Sequence, residues 1–118
     1  DTHPYNAGTT ASDALKMGLP MLTLKGQAYQ ARMGASIVNA LNLPELITNT
    51  VQEYETMAIE LATNPDRLKI IKDKLTTNLT IAPLFDTKLF TKSLETAYTE
   101  MYERQHKGLK PDHIYVEV

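Results

Sequence analysis

The spacing of apolar positions changes once along this chain. In the first half they fall in short runs bounded by Gly and Pro; in the second they recur every three to four residues. Residues 1–8, DTHPYNAG, read as a strand exit followed by a loop, because Pro4, Asn6 and Gly8 are loop formers. Residues 10–17, TASDALKM, suit a short helix that offers Ala14, Leu15 and Met17 for burial, and Gly18 is a natural helix stop. The apolar run at residues 20–24 is short enough for a buried strand. Residues 28–41 read as a second helix with Ala31, Ala35, Val38 and Leu41 on one face, and residues 45–48 as a second short strand.

From Thr50 the pattern is helical. Thr50 and Glu53 match a capping box, after which Val51, Tyr54, Ala58, Leu61 and Ala62 follow helical spacing. Asn64-Pro65 ends that helix and starts the next, with Asn64 as N-cap and Pro65 at the first helical position. Leu68, Ile71, Leu75 and Leu79 make its buried stripe. Residues 82–86 break the pattern. A last helix is expected over residues 87–106, with Phe90, Leu94, Ala97, Tyr98 and Met101 on one face and Gly108 and Pro111 closing it. The tail at residues 114–118 alternates, as an edge strand or a docked extended segment would.

This order gives an α/β class: a strand-loop-helix part over residues 1–48, then a helical part with a tail over residues 49–118. No repeat or linker divides the chain. Two or three short strands do not make a full doubly wound sheet; they look like the later half of one. The composition, with 118 residues, 42% hydrophobic and 22% charged, is that of a globular domain rather than a disordered chain. A net charge of −2 gives no electrostatic case for nucleic acid or an anionic membrane. No apolar run reaches the roughly 20 residues of a bilayer span. With no cysteine, disulfides and thiolate sites are excluded, and a reducing compartment is weakly favoured.

Candidate chemistry lies in Asn6-Ala7-Gly8-Thr9-Thr10-Ala11-Ser12-Asp13, between an expected strand end and a helix start. There the first helix amides lack intrahelical partners and carry partial positive charge, a ready site for phosphate. Gly8 lets an anion approach the backbone, and the hydroxyls of Thr9 and Thr10 add donors. Asp13, one turn further on, can accept from the vicinal hydroxyls of a ribose. Thr10-x-x-Asp13 also matches an ordinary helix cap, and the two readings are compatible. Other candidates carry less. His3, His106 and His113 lack metal-ligand spacing. Arg32 fits a salt bridge better than a phosphate contact, Lys69, Lys72 and Lys74 read as a solvated basic face, and Tyr98 and Tyr102 as packing. Asn78-Leu79-Thr80 is a glycosylation sequon with meaning only in the secretory pathway.

The stretch NAGTTASDALKMGLPMLTL resembles the C-terminal catalytic region of O-linked N-acetylglucosamine transferases, glycosyltransferase family 41, and their bacterial relatives with tetratricopeptide repeats. The resemblance continues through Gly26, residues 31–36 (ARMGAS), residues 43–47 (LPELI), Glu53-Tyr54-Glu55, residues 82–87 and the closing Gly108-x-Lys110-Pro111-Asp112-His113. It implies the C-terminal half of a Rossmann-like UDP-binding lobe of the two-lobed GT-B fold, with short parallel strands followed by several helices. Residues 1–118 are then one fragment of that nucleotide-sugar lobe.

The implied reaction moves N-acetylglucosamine from UDP-GlcNAc to Ser or Thr of proteins, with no metal and no cofactor, in the cytoplasm, or in nucleus and cytoplasm in a eukaryote. Carried over, the diphosphate falls to Thr9 and Thr10, with the Gly8 amide beside them, and the ribose to Asp13; no catalytic residue is assigned. The protein acceptor would be met by parts of the parent outside this chain. Two positions depart from the family pattern: Gly8 stands where animal members have His, and Lys16 where a Trp is common. Alternatives are another GT-B transferase with a different sugar nucleotide or acceptor, or a non-catalytic interaction domain.

Overall fold

The two apolar runs of the first half form a minimal parallel sheet. In β1 (Thr23–Leu24) and β2 (Ile47–Thr48), Thr23 lies opposite Ile47 and Leu24 opposite Thr48. The structure, a computed structural model, describes residues 1–117. Parallel strands need a crossover connection, which here contains helix α2 (Met33–Ala40). Helix α1 (Thr9–Lys16) precedes the sheet, and α3 (Val51–Thr63) and α4 (Pro65–Leu79) follow it. Residues Asp1–Leu84 make one compact unit, and a second begins at Phe85. The class is α/β as expected: mostly helical, with a short two-stranded parallel sheet.

The core of the first unit is built from side chains at helix and turn positions. Leu15, Val38, Leu41, Leu43, Leu46 and Leu75 are fully buried, each contributing about 1.5–3 kcal/mol of transfer free energy. The expected face Ala31, Ala35, Val38 and Leu41 is buried throughout. On α4, Ile71 and Leu75 are buried while Leu68 and Leu79 are half-buried.

Several expectations need correction. Residues 1–8 hold a loop but no strand, and extended pairing over residues 20–24 is confined to Thr23 and Leu24. Residues 28–41 are not one helix: a 3₁₀ turn at Tyr29–Ala31 is separated from α2 by Arg32. The carbonyl groups that would continue the ladder are committed elsewhere. The Gln30 carbonyl accepts from the Asn6 amide at 2.9 Å, and the Ala31 carbonyl from the Gly26 amide at 2.8 Å. The latter bond closes residues 26–31 into a small loop. Residues 45–48 begin within a 3₁₀ turn (Pro44–Leu46), leaving two residues for the strand. Met17 is 85% exposed, because α1 stops at Lys16; its core face is Ala11 and Leu15.

Helix ends follow local chemistry. Gly18, at φ 77°, ends α1 in a Schellman turn: its amide donates to the Leu15 carbonyl and the Leu19 amide to that of Ala14. Asn42, at φ 54°, does the same for α2. Thr50 Oγ1 accepts from the Glu53 amide at 3.1 Å, but Glu53 Oε2 takes the amide of Asn49, at 2.8 Å, rather than that of Thr50. Asn64 Oδ1 accepts from the Arg67 amide at 3.1 Å.

Two polar residues of α4 act across the fold. Lys74, expected on a solvated face, pairs with Glu45 at 2.8 Å. Asn78, the sequon asparagine, is buried, and its Nδ2 donates to the Leu41 carbonyl at 2.7 Å.

The second unit contains α5 (Thr87–His106), capped by Asp86 Oδ1 accepting from the Leu89 amide at 2.9 Å. None of the expected apolar face is buried: Phe90, Leu94, Tyr98 and Met101 are all exposed. The chain then turns at Gly108, and Arg104 donates to the Lys110 carbonyl at 2.8 Å, holding the turn against the helix end. Residues 114–117 form no strand, and Val118 lies outside the described residues.

Candidate functional site

Helix α1 begins at Thr9 with Gly8 as its N-cap, and no side chain caps it. Its first backbone bond runs from the Ser12 amide to the Gly8 carbonyl, 3.0 Å. The helix geometry therefore leaves the amides of Thr9, Thr10 and Ala11 without an intrahelical acceptor. Ala11 and Leu15 face the core, which puts Thr9 and Asp13, one turn apart, on the outward side with Thr10 beside them. All three are exposed. Among the described residues no hydrogen bond engages the hydroxyl of Thr9 or Thr10 or the carboxylate of Asp13. The capping reading of Thr10-x-x-Asp13 is thus not realised, since both residues lie inside the helix.

The Met33 side chain packs against the backbone at Gly8. A Cβ there would lie 3.0 Å from the Met33 sulfur, so the loop rests directly on the start of α2. Its φ of −103° makes no demand for glycine. Met33 also lines a cleft of about 570 Å³, whose cationic groups are Lys25 and Arg32. Among the described residues Arg32 makes no acid pair, and its guanidinium donates to the Gly26 carbonyl at 3.3 Å.

Behind the loop lies a polar knot that the residue pattern did not reveal. Asn6 is 1% exposed. Its amide donates to Gln30, its Nδ2 to the Thr2 carbonyl at 2.9 Å, and its Oδ1 accepts from the Gly34 amide at 3.2 Å. The Asp1 carboxylate accepts from the Ala7 amide at 2.9 Å and from Thr23 Oγ1 at 2.7 Å. The Asp1 backbone nitrogen donates to the Leu22 carbonyl at 3.1 Å. The approach is tight enough that a Cβ on Gly34 would collide with the Asp1 carboxylate and the Thr23 hydroxyl. In the sequence Asn6 reads as a loop former at the head of the candidate stretch, and no spacing links it to Asp1, Thr23 or Gly34.

Two of the three histidines lie beside tyrosine rings. His106 stacks on Tyr102 with ring centroids 5.4 Å apart, and His113 lies 6.3 Å from Tyr115. Among the described residues no group of three or more His, Asp or Glu gathers as a metal site, and no helix is long and apolar enough to cross a membrane.

A parallel α/β unit with an open helix start behind a strand-bound loop is the architecture of nucleotide-binding lobes. Residues 1–94 match the model of glycosyl transferase family 41, and the chain belongs to that family. It is 35% identical over 114 residues to the UDP-N-acetylglucosamine–peptide N-acetylglucosaminyltransferase of Caenorhabditis elegans, covering 97% of this chain and 10% of that protein. It is also 35% identical over 117 residues to the probable enzyme of that name, SEC, from Arabidopsis thaliana, covering 98% and 12%. Among solved structures it is similar to a mutant of the Thermobaculum terrenum O-GlcNAc transferase, with a TM-score of 0.78 and 34% identity over 86% of this chain and 20% of that one. The fold is therefore that of part of a GT-B catalytic region. The chain spans 10–12% of the length of these curated relatives.

Proposed function

We propose that this chain is the UDP-binding part of a protein O-N-acetylglucosaminyltransferase, which moves GlcNAc from UDP-GlcNAc to Ser or Thr hydroxyls of an acceptor protein. One observation carries the reading: among the described residues, the first three amides of α1 have no helix acceptor, and neither the hydroxyls of Thr9 and Thr10 nor the carboxylate of Asp13, one turn on, has a hydrogen-bond partner. The family membership and the relatives' names support it.

In the proposed reaction an acceptor hydroxyl displaces UDP from the anomeric carbon, and negative charge grows on the departing diphosphate. Thr9 and Thr10 donate from backbone and side chain to that charge, where fixed donors act most strongly. The Gly8 amide lies beside them. Asp13 accepts from the ribose hydroxyls and orients the nucleotide. No residue here serves as general base; the acceptor and its activation belong to other parts of the parent enzyme. The diphosphate is held by helix amides and hydroxyls, so no metal or cofactor enters the proposal. A cytoplasmic location, nucleocytoplasmic in a eukaryotic cell, belongs to the same reading and fits a chain without cysteine.

The test is an amide-shift titration of the chain with UDP. Shifts centred on residues 8–13, with a Kd of about a millimolar (about 4 kcal/mol), are expected. Shifts confined to α3–α5, or none, would overturn the reading.

A further inference from the structure

The nucleotide reading assigns ligand contacts to residues 8–13 and leaves the buried knot behind them without a role. Asn6 makes three hydrogen bonds to groups outside residues 8–13: its backbone amide donates to Gln30 before α2, its Nδ2 donates to the Thr2 carbonyl, and its Oδ1 accepts from the Gly34 amide in the first turn of α2. Two residues further along the chain, Gly8 rests on Met33 of the same turn. Between them Ala7 is tied by the Asp1 carboxylate, which also holds Thr23 of β1. The backbone entering α1 is thus fixed at three successive residues, 6, 7 and 8, to a strand and a second helix. On the outward face of α1, Thr9, Thr10 and Asp13 are exposed.

We infer that Asn6 is a positioning residue for the diphosphate site: through the Gly34 amide it locks the start of α1 to the start of α2, so that the amides and hydroxyls of Thr9 and Thr10 are aimed before ligand arrives. This rests on the nucleotide reading and adds a residue to it that touches no ligand. A binding loop fixed beforehand loses less freedom when the ligand binds, so the lock acts on affinity as well as on stability.

The Gly34 amide gives a direct readout. It lies in the first turn of α2, where the helix offers no acceptor, so Asn6 Oδ1 is its partner. Its hydrogen exchange therefore reports one bond. In the unmodified chain, UDP-GlcNAc at about five times its Kd should slow that exchange by up to about sixfold, because a ligand that prefers the locked loop must favour the lock by linkage. Asn6→Ala should weaken UDP-GlcNAc binding by about tenfold, or about 1.4 kcal/mol, and shift the free-state amide signals of Gly8 to Thr10. Asn78→Ala, which removes a buried asparagine bond remote from the loop in sequence, should lower the melting temperature and leave the affinity unchanged.

The inference is overturned if the wild-type chain binds UDP-GlcNAc while Gly34 exchange is unaffected. It is equally overturned if Asn6→Ala loses stability but binds as the wild type does. Absence of any UDP-GlcNAc binding by the wild-type chain would fell the nucleotide reading itself, and the positioning role with it. The Gly34 measurement needs no variant, so a failure of Asn6→Ala to fold does not affect it.

Discussion

The side-chain amide of Asn78 donates to the backbone carbonyl of Leu41 at 2.7 Å, joining the C-terminal end of the α4 packing face to the C-cap of α2. That carbonyl lies at the C-terminal end of α2, where the helix provides no donor. The residue that appears in sequence as a modification site is thus consumed in holding two helices together.

Replacing Asn78 with Ala should cost about 1–3 kcal/mol, because the Leu41 carbonyl is left buried without a donor. Chemical denaturation of the two proteins measures the difference. Expression through a secretory pathway, followed by mass spectrometry, should find no glycan on folded Asn78, since its amide nitrogen is buried and bonded.

Asp13→Asn separates ligand binding from stability. The carboxylate is exposed and caps no amide, so the melting temperature should hold, with a change within about 0.5 kcal/mol. UDP affinity should fall by about 1–3 kcal/mol if the carboxylate accepts from ribose hydroxyls. Calorimetric melting and a UDP titration on one preparation give both numbers. Equal affinity for the two proteins would remove Asp13 from the site.

At the start of α3, Thr50→Ala should destabilise by about 1 kcal/mol, the usual loss for a side-chain N-cap. Glu53→Gln should cost less, because a neutral side-chain oxygen can still accept from the Asn49 amide. Urea titrations of both variants check the order; a larger loss for Glu53→Gln would contradict it.

The chain by itself should transfer no sugar. Positioning of two substrates supplies roughly 7–11 kcal/mol of rate enhancement, and residues 8–13 address the donor alone. Incubation with UDP-GlcNAc and a Ser/Thr peptide, read by mass spectrometry, should show no added GlcNAc above the protein-free control. Turnover would reveal a catalytic group within these residues.

What could be read in advance was what is decided within a few residues. Gly18, Asn64 and the Thr50 cap do in the structure what their local sequence requires, because caps and stops involve neighbours along the chain. Residues 8–13 were legible for the same reason: a helix start exposes its amides whatever the rest of the fold does. The Asn6–Gly34 bond spans 28 residues and the Asn78–Leu41 bond 37. No spacing rule marks either side chain as a tertiary partner. The break at Arg32 was hidden for a related reason, since tertiary donors divert the carbonyl groups of Gln30 and Ala31. On α5 periodicity correctly grouped Phe90, Leu94, Tyr98 and Met101 on one face, but an apolar stripe carries no information about whether anything covers it.

The loop closed by the Gly26 amide and the Ala31 carbonyl has a practical use. Its ends are pinned, since a Cβ on Gly26 would lie 2.7 Å from that of Ala31, while Gln27, Ala28 and Tyr29 at its tip are exposed. Such a loop tolerates cargo at the tip and resists change at the base. With no native cysteine in the chain, Ala28→Cys gives a unique attachment point for a fluorophore on the segment that leads into α2. Nucleotide arrival could then be followed optically without altering any residue assigned to ligand.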